Sequence, residues 1–305
     1  MKSIVRLIRL PNLLIVVLVQ WILQYRLLVP FYQGLDLQPM LGQLDFGILM
    51  LVTVLISASG YITNDIYDYP IDLVNKPEKM VIGKSISLQS ARFIFYALVI
   101  LGGCLSLYLA LKIDRVSWFL IYPIAVGLLM AYAKYFKKTT LVGNMIVAAY
   151  CAGVAGIVFF PEWEMFWQET MTMDALRVIS ILAGFCFFAF FSTMYREIVK
   201  DIEDMEGDRQ YGCRTLPIVA GESFAKRFAL VWLFVLLLIL TMALPLLWKW
   251  SMLLFIWMLV AVLGPGIASG YFLIKADSKP KYHLASQVIK LFMLTGTLTL
   301  LILNF

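Results

Sequence analysis

Apolar residues along this chain gather into nine runs of about twenty, with the polar residues collected between them. The runs cover roughly 11–31, 44–66, 92–111, 116–135, 141–160, 176–198, 228–247, 251–274 and 284–304. At about 1.5 Å of rise per residue, each is long enough as an α-helix to cross a hydrocarbon layer about 30 Å thick. Short alternating segments, the mark of a spanning β-barrel, do not occur. The pattern predicts an all-α, multi-pass membrane protein with nine transmembrane helices. No Pro/Ser-rich linker or low-complexity tract divides it, so a single domain over 1–305 is expected.

Composition agrees with that reading. At 62% hydrophobic and 14% charged residues, 305 residues would lack the polar surface of a soluble domain. Charge adds an orientation. If the N-terminus and the even-numbered loops share one side, that side carries nineteen Lys and Arg against five opposite, with Lys290 assigned to the start of the last span. Positive-inside bias then places the N-terminus and those loops in the cytoplasm. The net charge of +6 follows from topology, and no basic-aromatic module points to a nucleic acid. The first run is span-length and lacks a small-residue cleavage site, so it is expected to stay as a span. Cys104, Cys151, Cys186 and Cys213 form no C-x-x-C pair, and His283 has no His or Cys neighbour, which argues against disulfide, zinc or haem frameworks. The segment PEWEMFWQETMTMD (161–174) reads as an interfacial piece anchored by Trp163, Phe166 and Trp167. LGPGIASG (263–270) reads as a kink or a close helix contact, with a cavity-lining break as the alternative.

The chemistry lies in two polar stretches, NDIYDYPID (64–72) and KDIEDMEGD (200–208). Each follows an apolar run and carries D-x-x-D-x-x-x-D: Asp65, Asp68 and Asp72, then Asp201, Asp204 and Asp208. On a continuous helix such positions fall within roughly a 60° arc. Pro70 and Gly207 precede the third aspartates, so two acids on the last helical turn and a third returning from the loop are expected. Either triad alone would also fit a solvated helix end; two copies of one spacing at corresponding exits argue for a site. Six carboxylates at a membrane mouth repel one another and need a positive counterpart. Oxygen ligands without His or Cys select a hard cation, and the spacing is not that of a calcium loop, which leaves Mg²⁺ with substrate phosphate. The nearby cations Lys79, Lys84, Lys137, Lys200, Arg209 and Arg214 suit a diphosphate held between two acidic banks.

NDIYDYPID resembles the N-D-x-x-D-x-x-x-D signature of the UbiA-type intramembrane prenyltransferases. YREIVKDIEDMEGDRQYGCRTLPIVAG resembles that family's second acidic motif, and RLPN (9–12) and YAKYFKKTTLVGN (132–144) are lesser matches. The resemblance covers essentially the whole chain. It implies nine helices around a central cavity open to the cytoplasmic side, and Mg²⁺-dependent transfer of a prenyl group from its diphosphate to a lipophilic acceptor. Carried over, Asp65, Asp68, Asp201 and Asp204 would hold the Mg²⁺–diphosphate, with Asp72 and Asp208 completing the shell. Asn64 and Asn144 would lie near the diphosphate, and Lys137 and Lys200 would neutralise leaving-group charge. Tyr132 and Tyr195 are candidates for stabilising the allylic cation, with ordinary interfacial tyrosines the alternative. No obligatory protein partner is evident.

One stretch departs from the family pattern. NKPEKMVIGKSIS (75–87) puts Lys79 where many members carry Arg, and Met80 where they carry Pro, which speaks against a close copy of the aromatic-acid prenyltransferases. RE-x-x-KDIED-x-EGD followed by RTLP is most similar to the branch that alkylates geranylgeranylglyceryl phosphate. A phosphorylated acceptor also suits the surplus of cations, Arg196 among them. Prenylation of an aromatic quinone precursor, 1,4-dihydroxy-2-naphthoate or 4-hydroxybenzoate, is the alternative. A cation-coupled transporter would need ionisable residues along a transit path through the spans, and the acids lie at one mouth.

Overall fold

The computed structural model describes residues 2–75, 78, 80–168 and 172–302. Among them, nine helices are long and apolar enough to cross a membrane: α1 (Leu10–Gly34), α2 (Gln43–Pro70), α3 (Leu88–Lys112), α4 (Val116–Lys134) and α5 (Val142–Phe166), then α6 (Met173–Gln210), α7 (Glu222–Trp250), α8 (Met252–Lys275) and α9 (Lys279–Leu301). A short helix, Lys2–Leu7, precedes α1. The central helix is α6, which packs against α5, α7 and α9, while α2 packs against α3 and α4. Walls from α1, α2, α4, α5, α6 and α9 enclose a cavity of about 1660 Å³. The remaining three, α3, α7 and α8, buttress the wall from outside.

Two breakers expected to end helices do not end them. The helix of α2 runs through Pro70 to Asn75, and that of α6 runs through Gly207 to Gln210. Asp72 and Asp208 therefore ride on helices instead of returning from loops. A proline removes one backbone hydrogen bond, but here the turn containing Pro70 is pinned from both sides. Tyr69 packs under the 80–86 loop, where a Cβ on Gly83 would come 2.7 Å from its ring, and the Tyr211 hydroxyl donates to the Pro70 carbonyl at 3.3 Å. A glycine inside a helix costs about 1 kcal/mol relative to alanine, too little to stop a helix packed on three neighbours.

Prolines elsewhere are accommodated by widening the helix. π-Helical turns at Gln24–Leu28 and Trp257–Leu263 stand just before Pro30 and Pro265. LGPGIASG is a close helix contact and stays off the cavity wall: a Cβ on Gly266 would sit 2.7 Å from Leu237 and 3.0 Å from Phe292. The 161–174 segment is less interfacial than expected. Phe166 is buried, 4.5 Å from Phe159 and stacked 5.0 Å from Phe31, while Glu162 accepts from the Met40 amide at 3.0 Å and from the Tyr32 hydroxyl. Trp163 stays half-exposed, as does Glu164 beside it; the side chain of Trp167 lies outside the described residues.

Gly296 marks where α9 meets α6, since a Cβ there would fall 2.2 Å from the ring of Phe188. Gly296→Ala should force that cavity-lining ring aside and destabilise the fold by about 1–3 kcal/mol. A lowered midpoint of thermal unfolding in detergent is the expected reading, and an unchanged midpoint would show that the ring yields freely.

Candidate active site

The first acidic bank sits on the last turns of α2. Asn64 and Asp68 are four residues apart, so they stack on one face, and the Asn64 amide donates to Asp68 at 2.8 Å. Lys137, from the loop after α4, ion-pairs with Asp68 and donates to the Asn64 carbonyl oxygen at 3.2 Å. Asp65 points toward α1, where Arg9 donates to it at 2.8 Å. Arg9 holds a left-handed backbone (φ 53°, ψ 53°) at the start of α1. That conformation costs a non-glycine residue of order 1–2 kcal/mol and turns the chain between the N-terminal helix and α1. The guanidinium also lies 4.8 Å over the Tyr61 ring.

The second bank runs along α6. Glu197, Asp201, Asp204 and Asp208 fall on one stripe, and all four line the cavity. Asn144, buried at the start of α5, donates to Asp201 at 2.8 Å. Glu197 is bracketed by Arg196 and by Lys200 at 3.8 Å, and Lys279 at the foot of α9 approaches Asp204 to 3.8 Å. Asn64 and Asn144 thus play matching parts, each donating an amide to an aspartate of its own bank.

The loop between α4 and α5 connects the banks. Gly143 is required there, because a Cβ would sit 2.7 Å from the Phe136 carbonyl oxygen and 3.2 Å from the Lys137 Cα. This tight return sets Lys137 and Asn144 on opposite sides of one turn, each toward a different bank. The Arg214 amide donates to the Lys138 carbonyl at 2.8 Å, and Thr140 donates back to the Arg214 carbonyl at 2.6 Å, so the segment after α6 is stitched to the same loop. Cys213 lies beside it at the cavity mouth, where burial pushes its thiol pKa up.

All six aspartates, both asparagines, Lys137, Lys200 and Tyr132 line the one cavity. Four other expected site residues do not. Tyr195 is fully buried, its hydroxyl 3.0 Å from Ser269, because its place on α6 turns it toward α8. Arg209 is exposed on the last turn of α6, and Arg214 contributes its backbone to the loop contact while its side chain is exposed. Lys84 is exposed on the 80–86 loop, 3.9 Å from Glu78. Lys79 lies outside the described residues. Arg9, Glu197 and Lys290 line the cavity without having been assigned a part. Glu197 could have been found from its spacing, four residues before Asp201. Arg9 stands in the RLPN stretch, but nothing local names Asp65 as its partner.

Below the banks the cavity becomes apolar, lined by Val16, Ile56, Leu129, Val154, Phe188 and Met293 among others. The polar donors at its head are carboxylate and amide oxygens, which suit a hard divalent cation. Among the described residues no three His, Cys, Asp or Glu side chains already converge as a metal site. Several of the carboxylates are instead engaged by Arg9, Lys137, Asn144 and Lys279. Such a head can hold an anion together with cations, and the cavity beneath it can hold a hydrocarbon chain.

Residues 27–294 match the UbiA prenyltransferase family. A digeranylgeranylglyceryl phosphate synthase of Methanococcus maripaludis is 36% identical over 188 residues, covering 62% of this chain and 60% of that protein. One of Methanosphaera stadtmanae is 30% identical over 243 residues, covering 78% and 80%. The chain spans less than two thirds of the length of the first curated relatives it matches, at 60%, 64% and 56%. Among solved structures, one described as a digeranylgeranylglyceryl phosphate synthase in membranes superposes with a TM-score of 0.64 at 24% identity, over 99% of this chain and 97% of that one. A UbiA homologue from Archaeoglobus fulgidus, bound to DMAPP and Mg²⁺, gives a TM-score of 0.54 at 15% identity, over 99% and 100%. These structural likenesses bear on the fold.

Proposed function

The chain belongs to the UbiA prenyltransferase family, and from that premise we propose that it transfers a prenyl group from a prenyl diphosphate to a lipophilic acceptor inside the membrane, with Mg²⁺ as cofactor. The observation that carries this reading is one cavity with two amide-braced acidic banks at its head and an apolar body below. Asp65, Asp68 and Asp72 with Asp201, Asp204 and Asp208 would hold the metal, and their oxygen-only chemistry fits it. Bound Mg²⁺ supplies positive charge to the diphosphate as the allylic C–O bond breaks. Lys137 and Lys200 add fixed positive charge beside the leaving group. Arg9 and Asn144 orient Asp65 and Asp201, so the carboxylates are positioned before substrate arrives. Tyr132 lines the cavity and offers an aromatic face to the allylic cation left on the prenyl carbon. The apolar body keeps water from that cation. The N-terminus and the loops beside the banks are cytoplasmic in this reading, by the excess of Lys and Arg on their side.

For the acceptor we favour geranylgeranylglyceryl phosphate, giving a digeranylgeranyl ether lipid. Its support is the set of relatives named for that reaction and the cationic residues Arg196 and Lys290 on the cavity wall. Purified protein in Mg²⁺ should release pyrophosphate from geranylgeranyl diphosphate when given this lipid, and much less when given 1,4-dihydroxy-2-naphthoate or 4-hydroxybenzoate. The reverse preference would move the protein to quinone synthesis. Absence of pyrophosphate release with every acceptor would overturn prenyl transfer itself.

A further inference from the structure

Lys290 was expected near the start of the last span, but α9 begins at Lys279, which puts Lys290 at its twelfth residue. By helix rise that is about 16 Å along the axis from the helix start and about 9 Å past the start of the apolar run at 284. An ammonium at that depth is costly unless it serves a polar cavity, and Lys290 does line the cavity. Its head group donates to Gln287 at 3.2 Å, the Gln287 amide lies 3.1 Å from His283 Nε2, and His283 Nδ1 lies 2.9 Å from Glu203. Residues 283, 287 and 290 share one face of α9, so this chain of contacts runs from the membrane edge inward and ends on Lys290.

The opposing helix carries the complementary pattern. Residues 196, 200 and 203 form a stripe on α6 about 100° from the acidic stripe of 197, 201, 204 and 208. One face of α6 thus presents carboxylates and the next presents Arg196 and Lys200, with Glu203 reaching His283 on α9. Lys290 lies within electrostatic reach of Arg196 and Lys200, and also of Glu203 and Glu197. Arg196 and Lys200 share Glu197, whereas Lys290 meets the neutral amide oxygen of Gln287, so Lys290 is the cation on this wall that an anionic ligand would balance. Met293, Leu294 and Thr297 continue the same wall of α9 below Lys290, beside Phe188 of α6. The wall therefore descends from a cationic head to an apolar chute.

We propose that Lys290, with Arg196, forms a second anion subsite that receives the phosphomonoester of the acceptor lipid and directs its tail along the α6–α9 wall. It adjoins the second acidic bank through the Arg196–Glu197 ion pair, while the diphosphate would sit at the aspartates of the two banks. The inference rests on the reading of a phosphorylated acceptor given above. It makes Lys290 a specificity-determining residue, selecting acceptors by their phosphate.

The test measures binding to the full-length protein in detergent micelles, with geranylgeranylglyceryl phosphate and the same lipid lacking its phosphate as probes. Wild type should bind the phosphorylated lipid at least 10-fold more tightly. Lys290→Met should lose that preference while binding geranylgeranyl diphosphate within about 2-fold of wild type, and Lys290→Arg should keep it. Retained preference in Lys290→Met would overturn the subsite and leave the acceptor assignment standing. Equal binding of the two lipids by wild type would overturn the phosphorylated acceptor and the subsite with it. A parallel loss of diphosphate affinity in Lys290→Met, with Lys290→Arg normal, would reassign Lys290 to the diphosphate.

Discussion

Asp68→Ala should lower kcat/KM for prenyl transfer by on the order of 10²–10³-fold or more, the scale of removing one preorganised electrostatic group. Asp68 is nearly buried and meets both Asn64 and Lys137. Its loss removes a proposed metal ligand and also frees the ammonium that sits beside the leaving group. Asp68→Asn separates these effects, because it keeps the side-chain shape and the contact with Lys137 while deleting the charge. If charge is what matters, Asn should be nearly as inactive as Ala, and both should elute and unfold as wild type does. Asp204→Ala should behave in the same way from the opposite bank. Wild-type turnover in either alanine variant would sink the two-bank arrangement.

Removal of divalent metal should have an effect of similar size. With excess EDTA, product formation should fall to background, and added Mg²⁺ should restore it. Six aspartates border one cavity, and Arg9, Lys137 and Lys279 ion-pair with Asp65, Asp68 and Asp204. Clustered carboxylate oxygens suit a hard cation, and a diphosphate without one would meet repulsion from the aspartates beside it. Chelation should therefore weaken prenyl-diphosphate binding as well as stop turnover, and an equilibrium binding assay with and without EDTA reads this directly. Full turnover after exhaustive chelation would mean that the cationic side chains suffice without a metal.

Much of the site was legible because its two halves repeat one spacing. A period of i, i+3, i+7 puts three aspartates on a common face wherever the helix continues, so the first two of each candidate bank follow from the chain order alone. Tyr195 shows where that reasoning stops. It lies one residue from Arg196, and a rotation of about 100° separates a cavity wall from a contact with Ser269 on α8. Arg209 and Arg214 were drawn in by their nearness to the second motif in sequence, yet Arg209 is exposed on the last turn of α6, and Arg214 gives its backbone to the α4–α5 loop while its side chain is exposed. Pro70 and Gly207 were read by local propensity, which the packing around Tyr69 and along α6 overrides.

The nine spans and the first two aspartates of each stripe were determined by sequence alone, because hydrocarbon thickness and helical period act on each segment separately. Asp72 and Asp208 join the stripes only because packing carries the helices through Pro70 and Gly207. Which stripes share a cavity was decided only by the tertiary structure. The pairing of Arg9 with Asp65, the return at Gly143 that divides Lys137 from Asn144, and the placing of Lys290 opposite Arg196 all join segments distant in the chain. A helix's own pattern sets which residues point together, but what they point at depends on how its neighbours pack against it.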